Sequence, residues 1–459
     1  MLDRTIQSKI ICSFVLFFSG FLDKVPPGNI GGNPMRKVYA AITMAVAFSI
    51  TGFSSTIAGT VPKPKLFLSA DGLALSSFPS RNSLTETITV QRTDGGPPAA
   101  WSAASDQSWL TVTGGGITEG PLTVEANPSG LQKNKFYAAE VTVSTNGDDF
   151  TDQEILHVGF WVGSHDPVAF KITQSTVNGI VANPVEPFVY ATDGSGSIYK
   201  YNVYSGKLDK TISTSASTLG ALEASSDGRL IFAVDTTNNV VLALTSSGKP
   251  VGSYSLTAPI EQNMVYARPY GIPALFVSNN PVFAVSSGKV LATGVPGGAY
   301  LAVPPNGQSL FAVDVGVSPG TLYRYSFGLG EGQYALSLDK SSFMINPVAS
   351  NCQDLAVSHN GAHVYPACGA PYEFDVYDGK TLNYTGKHNA IPYPNNIEVD
   401  ENGRLIGGVN GEIFVFGPDG PIGKFPASGS MLPGGVKVSG DATRIIVASG
   451  TSLWFYNSP

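Results

Sequence analysis

The sequence predicts an all-β chain, an immunoglobulin-like β-sandwich followed by a seven-bladed β-propeller, and three observations predict it. First, the stretch Leu219 to Val251, LGALEASSDGRLIFAVDTTNNVVLALTSSGKPV, holds apolar runs separated by polar turns. Second, looser forms of the same stretch recur from about residue 178 to the end. Third, 52 Gly and 32 Pro with only 13% charged residues favour turns and strands over helices.

The unit justifies its own strands. Gly220 to Ala224 is a short apolar run, Asp227-Gly228 is a hairpin turn signal, and Leu230 to Val234 is rich in branched and aromatic side chains. Asp235 to Asn239 turns the chain into Val240 to Leu244, and Ser246 to Lys249 turns it again into Pro250 to Leu256. Four short antiparallel strands in about 40 residues make one propeller blade.

At 459 residues and 42% hydrophobic, the chain can build two or three packed domains. A net charge of -7 and a pI near 5.3 exclude a general nucleic-acid binder, which needs a basic surface against phosphates. Met35-Arg36-Lys37 ahead of the apolar Val38 to Ile50, with small residues at Thr56 and Ala58, reads as a signal peptide over 35–58. Residues 1–34 then form an upstream extension, whose apolar run Ile10 to Leu22 is short for a membrane span. The mature chain is expected to be exported, periplasmic or extracellular, with no transmembrane segment.

Residues 64–163 alternate short strands with Gly/Pro/Ser/Asn turns, seven strands in about 100 residues, the pattern of an immunoglobulin-like sandwich. The run Trp101 to Val112, together with Leu122 to Leu131 and Tyr137 to Val143, resembles the BACON family of small β-sandwich modules. That resemblance implies attachment to exported proteins of bacterial polysaccharide use and a carbohydrate- or mucin-binding role; a spacer role fits equally. Trp101 is the candidate sugar-stacking residue. Trp109, in an alternating run, is expected to face inward as a core residue.

Residues 165–459 hold seven units, aligned on the turns Pro184 to Pro187, Asp227-Gly228, Tyr270-Gly271, Asn306-Gly307, Asn360-Gly361, Asn402-Gly403 and Gly440-Asp441. The strand after each turn is almost continuously apolar, as in a strand covered on both faces. The last unit stops after three strands, and Asp166 to Thr173 is a strand without a hairpin partner, so it is expected to complete the last unit and leave no open edge. The pattern Ser226 to Val234 followed by Asn238 to Val241 resembles the YVTN family of seven-bladed propellers. The third unit, Met264 to Thr293, is short and Pro-rich and departs from it. Relatives of that shape include sugar-lactone hydrolases, quinoprotein dehydrogenase subunits and surface-layer proteins, so the resemblance does not select a function.

Chemistry is sparse by comparison. His359 and His363 cross a turn without a zincin glutamate, and the sequence has no Gly-x-Ser-x-Gly elbow, phosphate loop or Cys-x-x-Cys. Asp148, Asp149 and Asp152 could hold calcium or form a solvated loop. No catalytic residue, metal ligand or cofactor is assigned, and no base and electrophile converge as a lactone hydrolase requires. The loops expected at one channel mouth carry Asn178, Asp193, Asn238, Asn279, Asp314, Asn351, Gln353, Asn395, Asn396 and Asn410. Asp193, Asn238, Asn279, Asp314, Gln353 and Asn395 are taken as ligand-binding candidates with Trp101, because amides both donate to and accept from hydroxyl-rich ligands. Turns favour the same residues for their own backbone, so those side chains can equally be structural. Cys352 and Cys368 lie equidistant from the turn residue Asn360, so a hairpin places them opposite each other, as a disulfide or as two buried thiols. The expected function is non-catalytic binding or scaffolding toward carbohydrate or another protein. An enzyme of the sugar-lactone hydrolase or quinoprotein dehydrogenase type, its site at the channel mouth, is the alternative.

Overall fold

The computed structural model describes residues 64–147, 151–174, 176–330 and 333–459. The segment 35–58 read as a signal peptide, the upstream residues 1–34, Asp148 and Asp149 lie outside the described residues. Those that are described belong to one compact unit spanning 58–459. It is all-β, with a single 3-10 turn at Pro269–Gly271 among the described residues.

The first hundred residues form two sheets around one apolar core. Leu66–Leu68, Thr85–Arg92, Gly120–Ala126 and Leu110–Val112 make one sheet; the other orders Asn82–Ser83, Gly72–Ser77, Thr151–Val162, Lys135–Asn146, Ala100–Ser105 and Gly115–Ile117. Strands alternate inward and outward side chains, so Leu122, Val124, Val141, Val143, Leu156, Val158 and Phe160 fill the core from both sheets. Trp109 stacks on Phe160 with ring centroids 5.3 Å apart, in the inward position its alternation predicts.

The rest of the chain repeats one motif in a propeller-like arrangement. Four-stranded antiparallel meanders occupy 179–213, 219–255, 264–292, 299–343, 350–389, 394–426 and 431–457, numbered here as sheets 1 to 7. The first strand of each sheet neighbours the first strand of the next, and the strand Met431–Val438 of sheet 7 returns to Gly179–Ala182 of sheet 1. The first strands therefore form a closed inner circle. The second strands, among them Leu230–Asp235, Ala274–Val277 and Arg444–Ser449, are buried between neighbouring sheets, which explains their unbroken apolar runs.

Sheet 7 has only three strands of its own. Phe170–Thr173 supplies the fourth, pairing antiparallel with Ser452–Asn457 in the register Phe170 to Phe455 and Thr173 to Ser452. The Phe170 and Phe455 rings stack at 4.5 Å. Cys352 and Cys368 are direct cross-strand partners and form a disulfide.

The two-sheet segment rests on the hairpin-turn end of the circle. Arg268, from the sheet 3 turn, pairs with Asp71 at 3.1 Å and Glu154 at 2.7 Å, and Ser226 donates to Asp71 at 2.5 Å. Gly159 lies so close to this end that a Cβ there would stand 2.0 Å from the Val185 carbonyl oxygen. Tyr204 fills the joint with aromatic contacts to Phe78 and Trp161 and donates to Asp441 at 2.6 Å.

Candidate functional site

The inner circle encloses a cavity of about 600 Å³. Side chains of a strand alternate between faces, so only some residues of each first strand can look into it. One such position lies two residues before the residue that opens the hairpin turn. In sheets 1 to 7 it is occupied by Val181, Glu223, Tyr266, Ala302, Ala356, Glu398 and Lys437, and all seven line the cavity. Asp354 enters the same wall from one pleat further back in sheet 5.

Three of the charges are tied together. The Lys437 ammonium lies 2.7 Å from a Glu398 carboxylate oxygen, and the two side chains are only 27% and 30% exposed. Asp354 accepts the backbone N–H groups of Leu355 and Ile397, each at 2.9 Å. Burial pushes the Asp354 carboxyl up to about 7, with Lys437 and the two N–H groups holding it partly down. Glu223 is raised to about 7 by the same burial, again opposed by Lys437. Burial alone would lower Lys437, but Glu398, Asp354 and Glu223 together outweigh it and raise it. The absence of converging carboxylates expected from the sequence is therefore corrected: Glu223, Asp354, Glu398 and Lys437 converge on one cavity wall.

At the hairpin-turn mouth, His359 stands 3.9 Å from Glu401, and Asp400 pairs with Arg404 at 2.6 Å. Glu86, from the two-sheet segment, is raised by burial first and then by the like charges of Glu401 and Asp441.

The predicted loop residues share the opposite end of the sheets, where each second strand ends and each first strand begins. Asn178 lines the cavity, whereas none of the six ligand-binding candidates does, and five of those six are engaged close to home. Asp193 accepts from Ser195 at 2.6 Å and from the Tyr199 hydroxyl at 3.0 Å. Asn238 donates to Asp235 at 2.8 Å, Asn279 to Glu261 at 2.9 Å and Asn395 to Asn410 at 3.1 Å. Asp314 accepts from Tyr323 at 3.1 Å, and Gln353 sits half-buried at an irregularity in the pairing of sheet 5. Trp101 requires a correction. It is 5% exposed within the core of the two-sheet segment, so it has no free ring face for a sugar. Asp152 accepts from the Leu66 N–H at 2.7 Å, and no group of three or more His, Cys, Asp or Glu among the described residues is placed to hold a metal ion.

The charges that sequence reasoning missed did leave a trace. Glu223, Glu398 and Lys437 each precede Gly228, Gly403 and Ala442 by the same interval, inside otherwise apolar strands. A charge recurring at one position of a repeat points to a shared surface. Comparison with protein-family models finds no match, and comparison with curated proteins finds none either.

Chemically, the wall combines a cation, a paired carboxylate and two carboxyl groups that burial raises well above the usual carboxylate range. Such groups donate to and accept from hydroxyls, and can also exchange a proton with a bound molecule.

Proposed function

We propose that this protein is an exported, non-catalytic binding protein, a BACON-like sandwich over 64–163 joined to a seven-bladed YVTN-type propeller over 165–459, and that its ligand is a carbohydrate held in the central channel. The observation that carries this reading is the convergence of Glu223, Asp354, Glu398 and Lys437 on the 600 Å³ cavity. A polyhydroxylated ligand satisfies such a wall without any change of its own charge, and the cavity is large enough for a small saccharide. Export follows the signal-peptide reading of 35–58 and is supported by the Cys352–Cys368 disulfide, since such bonds persist in oxidising compartments.

A second reading, a sugar-lactone hydrolase, is favoured by the pKa values near 7 at Glu223 and Asp354, which suit a general base. Binding of the mature chain to a broad glycan panel, alongside turnover of sugar lactones with and without divalent metal, separates the two. Glycan binding without turnover supports the first reading, and lactone turnover abolished in Glu223→Gln or Asp354→Asn replaces it with the second.

A further inference from the structure

Two tyrosines stand at the end of the sheets that carries the predicted loop residues. Tyr372 occupies the turn between His363–Ala370 and Glu373–Asp378 of sheet 5, and Tyr393 immediately precedes Pro394–Val399 of sheet 6. Both have left-handed backbones, with φ of 72° and 65°. A bulky L-residue adopts that region only at an energetic cost, so the surrounding fold fixes the backbone from which both side chains project. Yet neither is buried: they are 45% and 52% exposed.

Their rings meet at 5.9 Å between centroids with planes inclined by 60°, forming an open aromatic corner. Its floor is Gly369. A Cβ on that residue would lie 3.2 Å from the Tyr393 ring and 3.1 Å from the Asn351 amide nitrogen, so the ring and the amide sit side by side over the bare backbone. Asn351 is exposed and also left-handed, at φ 55°. Three residues with left-handed backbones, two beside turns and one within the first strand of sheet 5, thus present two aromatic faces and one amide to the outside.

We infer that Tyr372, Tyr393 and Asn351 form a saccharide-stacking subsite at this end of the channel. The proposal rests on the carbohydrate reading above and adds a second contact point to it. A pyranose ring has an apolar face of C–H groups that packs on an aromatic ring and equatorial hydroxyls that bond an amide beside it. Rigid, half-exposed tyrosines with an adjacent amide match both halves of that chemistry at little cost in side-chain ordering. A chain that extends beyond one sugar unit could occupy the corner.

The test uses the full chain with cellohexaose, xylohexaose and chitohexaose in titration calorimetry, with a wider glycan panel behind them. Tyr372→Ala and Tyr393→Ala are each expected to weaken the bound oligosaccharide about tenfold, while Tyr372→Phe and Tyr393→Phe keep most of the affinity. Because the side chains are half-exposed, thermal melting should hardly change, and tyrosine nitration protected by the oligosaccharide gives a readout independent of any variant. Unchanged affinity in both alanine variants, with unprotected nitration, overturns the subsite and leaves the carbohydrate reading standing, whether the tyrosines then meet a protein or nothing. If the wild-type chain binds no oligosaccharide and no glycan in the panel, the carbohydrate reading and the subsite fall together.

Discussion

Asp375 is a carboxyl at 2% exposure with one oxygen lacking any partner, and burial, then the neighbouring Glu373, pushes it up to about 7. Glu223 and Asp354 are raised to about 7 as well. For each, the folded chain keeps a proton that the unfolded chain, with an ordinary carboxyl pKa near 4, releases. Their contribution is fully present below about pH 4 and is lost as pH rises through 7. Melting temperature is therefore expected to fall between pH 5 and pH 8, and Asp375→Asn, which cannot ionise, should flatten that slope. An identical pH profile in the variant would refute the assignment. Lys437 carries the opposite expectation. Replacing it with Met removes the cation that faces three carboxylates, at a cost of about 2–4 kcal/mol at pH 8 that shrinks at pH 5, where those groups take up protons. Denaturant melts at the two pH values measure it. None of this was legible residue by residue, because Glu223 or Lys437 inside a short strand looks like an outward-facing polar position, and only the closed inner circle turns that face toward a shared cavity.

The elements were far easier to foresee. Four of the seven hairpin turns carry Asp-Gly or Asn-Gly, and the apolar run behind each turn marks the strand covered on both faces, so the four-stranded meanders follow from local chemistry. Pairing of Phe170–Thr173 with Ser452–Asn457 was legible for a different reason: a lone strand and a three-stranded sheet each lacked a partner. What the sequence did not reveal is the fastening. Arg444 is 0% exposed and donates to the carbonyl of Val168 at 2.9 Å and that of Val203 at 3.2 Å, and also to the Asn457 side chain. Asn457 in turn donates to the Pro167 carbonyl at 2.7 Å. Removing residues 166–173 should lower the melting temperature by roughly 10 °C or more, and Arg444→Met, which removes the guanidinium hydrogen bonds to the Val168 and Val203 carbonyls and the Asn457 side chain, should cost about 2–4 kcal/mol. An unchanged melting temperature in the deletion would show that the strand does not hold the last sheet.

On the scale of the whole molecule, the two-sheet segment and the circle of sheets meet through a buried ionic joint. Arg268 is held between Asp71 and Glu154, the two carboxylates lying in one segment and the arginine in the other. Arg268→Met leaves two buried carboxylates without their cation, so the segments should loosen at the joint. Limited proteolysis is expected to cut near residues 163–169 in the variant before it cuts the wild type, and equal cleavage rates would argue against the joint. The sequence concealed this contact because Asp71, Glu154 and Arg268 are widely separated along the chain and each reads alone as a solvated charge. It concealed the burial of Trp101 too, because nothing in the residues around it shows that its ring turns into the core of the two-sheet segment.

The closing strand also sets a timetable. Val168 leaves the ribosome 276 residues before the Arg444 that fastens it. At ordinary rates of synthesis that interval is on the order of tens of seconds. Throughout it, the backbone of Phe170–Thr173 and the open flank of sheet 1 have no permanent neighbour. The nascent chain must keep two sticky borders apart from other nascent chains until sheet 7 emerges, so the circle of sheets cannot close before Ser452–Asn457 has been made.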